Sequence, residues 1–521
     1  MTSLRELGFT ELPEILGEER TFSADGWWLD GDLVEAVVVA VAPAGAGEDG
    51  VEPRAGTADA AARYGIDLVD LAARRSLTGR AGESTVLDLP RPLPGQSFGW
   101  ETLPARLVIV GVGDGGPAAM RIAGSAVCRA VAGLDTVATT VVSGRDDAAL
   151  TAFLEGYWLT AYRGPRLAQA PRPGEPPAGR LVLLGYAGTA DQLGTARIAA
   201  EATSRARFLA ATPSNIKNPA WFADRARELA ADLPVQVEDH DSAWLRRNGL
   251  GALLAVGSGS ATPPRLVTVT YSPRKSSGRT VALVGKGITF DTGGISIKPR
   301  DAMVGMKTDM SGAAAVLATV LAAAQLELPH RVVGVLPLAE NAVGAASYRP
   351  GDIVRAYDGT SIEVSNTDAE GRMVLADAMA WVRATAQPDV LVDVATLTGA
   401  ATLGLGRTHA ALYSTDDSLG QALVAAGEAS GEAAWRMPLV ESYRASLDSD
   451  VADIAHQSRD PHISGGSITA ALFLQHFAGD TPWAHLDIAG AGRATKARHE
   501  VPEGPTGYGA RLLLRWLTDL A

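Results

Sequence analysis

Residues 281–294 read VALVGKGITFDTGG, an apolar run that passes directly into glycines, a lysine and an aspartate. The first four residues are typical of a buried strand, and Gly293 and Gly294 permit a sharp turn after it. Lys286 and Asp291 would then lie beyond the carboxyl end of this strand, where α/β sheets bind their ligands. The stretch therefore predicts an α/β fold with a functional site at this strand end.

Strand-like and helical segments alternate over residues 213–521, which indicates a larger α/β domain with a mostly parallel sheet. The predicted strands are Leu266–Tyr271, Val281–Val284, Arg331–Leu336, Val390–Val394 and His485–Ile488. The predicted helices are Gly312–Leu326, Met373–Ala386, Asp416–Ala429, Thr469–Phe477 and Arg511–Leu520.

A smaller α/β domain is predicted over residues 1–190, followed by a linker helix at 191–212. The segment Arg163–Gly179 holds five prolines and three glycines and is predicted to be a loop. The Ala- and Arg-rich segment Gly188–Ala211 is predicted to be a helix that ends before Pro213. The other predicted elements are the helix Ala118–Ala132 and the strands Leu33–Val41, Leu107–Val110, Val137–Val142 and Leu181–Leu184.

The composition excludes several classes of function. The net charge of −13 argues against a nucleic-acid or anionic-membrane partner, since both need a basic face. The single cysteine, Cys128, excludes an intrachain disulfide and a thiolate zinc site, and it is predicted to be buried and inert. Residues 1–19 lack the features of a signal peptide, and no apolar run reaches the ~20 residues that span a bilayer. We therefore expect a soluble, cytoplasmic protein.

Two weaker motifs have ordinary explanations. The eight histidines form no zinc-ligand spacing, and His456 and His462 are predicted to be solvated or hydrogen-bonded. The stretch Gly111–Gly116 fits the G-x-G-x-x-G pattern of dinucleotide-binding proteins. The acidic residue of that pattern should end the next strand, but Asp135 precedes it. A plain strand-to-helix turn is favoured, and a nicotinamide-dependent oxidoreductase stays the alternative.

Lysine is scarce in this chain, which has six lysines and forty arginines. Three of the six, Lys286, Lys298 and Lys307, nevertheless fall within 22 residues. A lysine kept where arginine is the usual cation indicates a task that a guanidinium cannot perform, such as losing a proton or acting as a compact charge. The alternative for Lys286 is an ordinary ion pair with Asp291.

Three further acidic residues, Asp309, Asp368 and Glu370, lie near the starts of predicted helices. Asp309 precedes a predicted helix, and taken alone it is predicted to be a helix cap rather than a ligand. Asp368 and Glu370 are two apart, so in an extended segment both point the same way, and capping and metal binding are equally weighted. Together with Asp291 they make four carboxylates, whose mutual repulsion two divalent ions at ~3.5–4 Å would relieve. Oxygen-rich ligation suits Mn²⁺, Mg²⁺ or Zn²⁺.

At these residues the sequence resembles the leucyl (cytosol) aminopeptidases, a family of dimetal exopeptidases. The matching segments are Val284–Pro299, Met306–Ala315, Asn366–Leu375, Asp393–Ala400, Gly465–Ala471 and Trp483–Gly490. The resemblance extends over residues 205–521 and is faint over 1–190. It implies a hydrolase that releases amino-terminal residues from peptides, with a broad, Leu-like preference, as a cytoplasmic homohexamer.

The resemblance also implies two divalent ions per chain, Mn²⁺ or Zn²⁺, with Mg²⁺ or Co²⁺ as alternatives. By position, Asp291 and Glu370 would bridge the two ions. Lys286 and Asp309 would complete one metal site, and Asp368 would complete the other. A lysine ligand must be neutral, which a nearby dication would enforce.

Further roles come from the same resemblance. Lys298 would contact the substrate carbonyl and stabilise the developing oxyanion. Arg372 would hold a bicarbonate ion that acts as the general base. Met306, Thr396 and Gly399 would line the pocket for the first side chain.

Two positions depart from the family pattern Arg-Asp-Leu-x-Asn-Thr-Pro, because Arg207–Pro213 carries Phe208 and Ala211 in place of the acid and the amide. Neither is a predicted ligand, so we expect an effect on domain or subunit packing. A catalytically silent binding protein of the same fold is the remaining alternative, and it should lack a ligand. All five candidate ligands are present, and so are Lys298 and Arg372.

Overall fold

The apolar runs form the strands of two separate sheets in a computed structural model that describes residues 2–45, 50–90, 93–95, 97–275 and 278–520. The central strands of each sheet run parallel, and helices cover them. This confirms the predicted α/β class with mostly parallel sheets and two domains. No helix in these ranges combines the length and the apolarity that crossing a bilayer requires.

The first sheet belongs to the amino-terminal part of the chain. Its strands in the described residues are β1 Glu14–Glu18, β2 Ala36–Pro43, β3 Val51–Pro53, β4 Ser84–Asp88, β5 Arg106–Gly111, β6 Thr136–Thr139 and β7 Arg180–Leu184. They follow the order β1-β7-β6-β2-β5-β4, all parallel except β4, and β3 pairs antiparallel with the end of β2. The helices are α1 Thr57–Tyr64, α2 Leu68–Arg74, α3 Pro117–Ala130, α4 Asp147–Ala161 and α5 Ala190–Ala211.

The second sheet contains residues 281–285 of the VALVGKGITFDTGG stretch. The strands of this part are β8 Val235–His240, β9 Arg265–Tyr271, β10 Thr280–Gly285, β11 Gly287–Asp291, β12 Arg331–Asn341, β13 Ile353–Arg355, β14 Ser361–Glu363, β15 Val390–Ala395, β16 Ala410–Ser414, β17 Ala434–Arg436, β18 Ile454–Ala455, β19 Trp483–Asp487, β20 Arg493–Ala494 and β21 Gly504–Pro505. The main sheet has the order β17-β16-β19-β15-β10-β12-β9-β8, with β11 beside β12. Its four middle strands, β19, β15, β10 and β12, are parallel.

Helices cover both faces of this larger sheet. They are α6 Pro219–Ala230, α7 Ser242–Arg247, α8 Gly251–Gly257, α9 Arg300–Met303, α10 Ser311–Gln325, α11 Glu370–Ala386, α12 Gly399–Leu405, α13 Asp417–Ser430, α14 Gly466–Ala478 and α15 Ala510–Asp519. Strand β10 shows why its sequence is continuously apolar. Val281 and Leu283 pack into the core on one face, and Ala282 and Val284 pack into the core on the other.

Several strand boundaries differ from the predicted ones because turns replace strand residues. The strand predicted at Val137–Val142 ends at Thr139, since Ser143 N–H donates to Thr140 O at 3.0 Å and closes a turn. Conversely, the strand predicted at Arg331–Leu336 continues to Asn341, because β11 extends the sheet alongside it.

Helix α5 joins the two sheets' helical layers. It packs against α4 on one side and against α10 and α15 on the other. Arg207 is fully buried in α5 and donates to Leu159 O at 2.9 Å and to Thr506 O at 2.7 Å. Phe208 packs edge-on against Phe9 at 5.0 Å, so this departure from the family pattern lies in intrachain packing. The predicted division at 190 and 212 stays a prediction.

Cys128 is confirmed as a buried thiol on α3. Burial raises its pKa to about 12, so at neutral pH it stays protonated and is a poor nucleophile.

Candidate metal centre

The carboxyl ends of β10, β12 and β15 meet at one edge of the larger sheet, because these three strands are neighbours and parallel. Lys286 follows β10 directly, and its backbone N–H donates to Val394 O of β15 at 3.0 Å. Asp291 ends β11 and lies opposite Asn341, the last residue of β12. The predicted lysine and aspartate are therefore both at this strand edge.

Lys286 is almost completely buried and faces two of the predicted ligands. Its Nζ lies 2.8 Å from Asp309 Oδ2 and 2.9 Å from Glu370 Oε1, and it donates to Thr396 O at 2.9 Å. The alternative pairing of Lys286 with Asp291 is wrong, because Asp291 is the partner of Lys298 instead.

Lys298 bridges the other two predicted ligands. Its Nζ lies 2.8 Å from Asp291 Oδ2 and also contacts Asp368 Oδ1. The loop that carries it turns sharply at Gly293 and Gly294, which have φ of +86° and +64°. A Cβ at Gly293 would lie 2.4 Å from Ser296 O, so the loop requires glycine there.

Asp309 does not cap a helix, and the capping interpretation is wrong. It directly follows the 3₁₀ turn Met306–Thr308, and α10 begins two residues later without a side-chain cap. Its Oδ1 accepts a hydrogen bond from Thr396 Oγ1 at 2.7 Å, and its Oδ2 faces Lys286. The carboxylate is thus directed across the strand edge rather than along its own helix.

Asp368 and Glu370 do not lie in an extended segment, so the prediction that a strand directs both side chains the same way is wrong. Thr367–Ala369 forms a 3₁₀ turn, and Glu370 is the first residue of α11. Asn366 caps the turn, with its side chain accepting from Asp368 N at 2.9 Å. The turn nevertheless brings each carboxylate to one of the two lysines.

Burial makes the charges of these carboxylates costly. It raises the pKa of Asp309 to about 6 and, together with the charge of Asp291, raises the pKa of Glu370 to about 8. Burial also raises the pKa of Asp368. Burial would lower the pKa of Lys286, but the surrounding carboxylates outweigh it and raise that pKa. The two ammonium groups therefore do not fully offset the cost of burying the charges of Asp309, Asp368 and Glu370, whereas divalent cations would.

The donor geometry fits such cations. Carboxylate oxygens of Asp291, Asp309 and Glu370 lie within 4.8 Å of one another, and all three residues are buried. Glu370 Oε2 is buried and has no hydrogen-bond partner in the described part of the chain. An oxygen that is free among buried carboxylates is suited to ligate a metal ion.

Arg372 is the third residue of α11, two residues after Glu370, and it is held by His456. Its Nη1 donates to His456 O at 2.6 Å, and burial lowers its pKa to about 10. No carboxylate of the described ranges lies within ion-pair distance of it. A buried guanidinium without a carboxylate partner is suited to bind a small anion.

His456 is fully buried, so its hydrogen-bonded interpretation is confirmed and the solvated one is wrong. Its Nε2 lies 2.8 Å from Asn366 O, and its Nδ1 lies 3.3 Å from Ser365 N. Burial, followed by the charge of Arg372, lowers its pKa to about 4, so the ring is neutral. The ring thus fixes the segment that enters the Asp368 turn, while its carbonyl fixes Arg372.

Sequence reasoning missed two residues that support the centre. Asn341 Nδ2 donates to Asp291 Oδ1 at 2.8 Å and to Thr367 O at 3.0 Å, joining the two ligand-bearing loops. Lys217 is fully buried and donates to Lys307 O, within the turn that leads to Asp309. The scarcity of lysine would have singled out Lys217, whereas Asn341 carries no comparable signal.

The three predicted pocket residues lie on the elements around Asp309. Met306 begins the turn that precedes Asp309, and Thr396 bonds to Asp309 directly. Gly399 begins α12 and is exposed, with open space where a Cβ would be. Their role in binding a side chain stays a prediction.

The G-x-G-x-x-G stretch forms the turn between β5 and α3. Gly113 and Gly115 take positive φ, and Asp114 Oδ1 accepts a hydrogen bond from Gly116 N at 3.0 Å. A carboxylate therefore already uses an amide that a pyrophosphate would need, which favours the plain turn.

Replacing Asp309 by asparagine should release one metal ion per chain and lower turnover by about 100-fold, because the amide keeps the Thr396 hydrogen bond but loses the ligand charge. Metal content and turnover of the purified variant measure this. Asp377→Asn is the matched control, since Asp377 is also buried but accepts hydrogen bonds from backbone N–H groups, including those of Leu253 and Tyr357. It should lose about 1–3 kcal/mol of stability and keep its metal. Asp309→Asn with full metal content would contradict the ligand role.

Comparisons with known proteins agree on one family. The sequence profile described as the cytosol aminopeptidase family, catalytic domain, matches residues 204–514. A "Probable cytosol aminopeptidase" of Leifsonia xyli subsp. xyli (strain CTCB07) is 44% identical over 442 residues, covering 82% of this chain and 87% of that protein. One of the same name from Rhodococcus opacus (strain B4) is 41% identical, covering 87% and 89%.

Among solved structures, the bottromycin maturation enzyme BotP in complex with Mn is similar with a TM-score of 0.79 and 37% identity. The similarity covers 94% of this chain and 99% of that chain, so it includes the amino-terminal sheet as well as the larger one.

Proposed function

The chain belongs to the cytosol aminopeptidase family, and we propose that it is a metal-dependent hydrolase that removes amino-terminal residues from peptides. The observation that carries this proposal is the buried group of Asp291, Asp309 and Glu370, with Lys286 and Lys298 against it. Without bound metal ions, the mutual repulsion of these buried carboxylates would be strongly unfavourable.

We assign the ligands as the resemblance implies. Asp291 and Glu370 would bridge two divalent ions, with Lys286 and Asp309 completing one site and Asp368 the other. The opposite placement of the two lysines supports this division, because Lys286 contacts Asp309 and Lys298 contacts Asp368. When bound, a pair of such ions lowers the pKa of water and polarises a carbonyl group. The similarity to a Mn complex supports Mn²⁺ as the first ion to test.

Lys298 is placed to act on the substrate. Its side chain is 14% exposed, whereas that of Lys286 is 3% exposed, so substrate atoms can reach the first ammonium more readily. Carboxylates raise the pKa of Lys298 against the effect of burial, so it keeps its charge. A fixed cation beside the scissile carbonyl would stabilise the oxyanion that forms during hydrolysis.

Arg372 is proposed to hold a bicarbonate ion, which would supply a general base for the hydrolysis. Its buried guanidinium has an unpartnered Nε in the described structure, and His456 O fixes its other end. These features suit a small anion with two oxygens directed at the guanidinium.

The function predicts strict dependence on a free amino terminus. Leucine amide should be hydrolysed at least about 100-fold faster than N-acetyl-leucine amide, since acetylation removes the amine that would bind one ion. The measurement compares initial rates on both substrates with Mn²⁺-loaded protein. Similar rates on both would indicate an endopeptidase or another amidase. Two bound ions with no hydrolysis of either would favour the binding-protein alternative.

The finer properties follow from the family alone. We propose a broad preference for Leu-like first residues, with Met306, Thr396 and Gly399 around the side chain. We also propose a cytoplasmic homohexamer with no nucleic-acid or membrane partner. Light scattering that gives six times the 54.0-kDa chain mass would support the oligomer.

A further inference from the structure

A separate cleft of about 430 Å³ lies where α3 approaches the carboxyl-terminal part of the chain. Its walls come from α3, from residues 407–408 and 431–432, and from the segment 491–501. In the described residues these walls include none of the predicted metal ligands. We name it the interdomain cleft.

The interdomain cleft is strongly basic in a chain whose net charge is −13. Two acidic residues, Glu432 and Glu500, line it. Against them stand six cationic side chains, Arg121, Arg207, Arg407, Lys496, Arg498 and Arg511. Basic walls around a recess concentrate field lines and attract anions, and nothing in the proposed peptidase chemistry requires this concentration of charge.

The base of the cleft holds arginines that are only partly neutralised. Arg121 Nη2 and Arg511 Nη1 share Glu155 Oε2, at 3.1 Å and 3.0 Å. Arg511 Nη2 lies 3.4 Å from Glu432 Oε1. Arg207 donates to two carbonyl oxygens and lies over the Tyr162 ring at 5.6 Å, and it has no carboxylate partner in the described residues. Three buried guanidinium groups therefore share two carboxylates, Glu155 and Glu432.

Two of these arginines also carry a buried N–H group that is unpaired among the described residues. Arg121 and Arg511 are 6% and 4% exposed, and the Nε of each is buried without a hydrogen-bond partner in the described part of the chain. These two atoms have almost no accessible surface, so they add to the positive potential of the cleft rather than contact a ligand in it.

The remaining walls set the kind of ligand. Ala118, Ile122, Ala491 and Val501 give the cleft apolar surface, while the exposed Lys496 and Arg498 lie at its mouth. The volume is within the ~300–1,000 Å³ of small-molecule sites. We propose that the interdomain cleft binds a small organic oxyanion that carries at least two negative charges.

Calorimetry on the metal-loaded, full-length protein tests this with two probes at constant ionic strength. Sodium sulfate stands for tetrahedral oxyanions and disodium succinate for dicarboxylates. Saturable binding of one anion per chain by either probe is expected, and the probe that binds tighter identifies the class. Failure of both probes to saturate at concentrations up to the tens of millimolar would overturn the proposal.

Two double variants locate the binding. Lys496→Ala with Arg498→Ala should weaken binding about tenfold, since each partly exposed charge contact contributes a few-fold in affinity. Arg274→Ala with Lys275→Ala removes the same charge from exposed positions outside the cleft and should leave binding unchanged. Equal affinity in both double variants would place the anion elsewhere, including at Arg372, and would contradict the proposal. Leucine amide hydrolysis is measured separately, so a failed cleft and a failed peptidase assignment are distinguishable.

Discussion

Removing divalent metal should abolish leucine amide hydrolysis, with a loss of at least about a thousandfold, because no described side chain in the centre replaces a metal-activated water. Dialysis against a chelator followed by elemental analysis gives the metal-free protein. Addition of Mn²⁺, Zn²⁺ or Co²⁺ should restore the rate, and the ion that restores it best is the candidate for the cell. Full activity in protein shown to be metal-free would contradict the dimetal proposal.

Stability provides a control that does not depend on turnover. Metal ions should raise the melting temperature, because they relieve the repulsion among Asp291, Asp309 and Glu370. They also bind only the folded state, which shifts the folding equilibrium toward it. An effect of metal on melting without any hydrolysis would identify the catalytically silent binding protein.

The same carboxylates should make metal affinity depend on pH. The pKa values of Asp309 and Glu370 are raised to about 6 and about 8 by burial, so protons must leave before metal binds. Metal affinity should therefore rise as pH increases from 6 to 8. Titration calorimetry in buffers of different ionisation enthalpy would count the protons released.

The sequence was sufficient to predict the strand edge but not the contacts across it. The run Val281–Val284 and the glycines after it specify a buried strand and a turn by local chemistry alone, and both are present. The partner of Asp309 could not be predicted in the same way, because Thr396 is 87 residues away and reaches it only through the parallel pairing of β10 with β15. The local pattern therefore predicted that Asp309 caps a helix, whereas in the fold its carboxylate accepts a hydrogen bond from the distant Thr396.

The turn at Asp368 shows a second limit of local reasoning. Two acids spaced two apart suggested a strand, since alternate residues of a strand share a face. Asn366 caps the segment instead, and His456, from a distant part of the chain, holds Asn366 O. The family resemblance still selected residues that the fold brings together, because a motif records the outcome of such distant contacts without explaining them.

Replacing Lys286 by arginine should remove one metal ion per chain and lower turnover by at least about 100-fold. A guanidinium stays protonated up to about pH 12, so it cannot become a neutral ligand and would repel a dication. The limited space around Lys286 should also disfavour the larger arginine side chain. A Cβ on Gly371 would lie 2.6 Å from Lys286 Cε, which shows that α11 already fits closely around the lysine. Metal content by elemental analysis and turnover on leucine amide measure the effect.

Because arginine differs from lysine in both size and charge, Lys286→Met is needed to separate a ligand from an ion-pair partner. If Lys286 is a ligand, methionine weakens metal binding. If Lys286 only balances Asp309 and Glu370, methionine removes a competing cation, and metal binding stays equal or becomes tighter. Lys298→Arg is the companion variant and should cost less, because its role needs the charge and arginine keeps it. Tighter metal binding in Lys286→Met would assign Lys286 to charge balance, and the family and the fold would still stand.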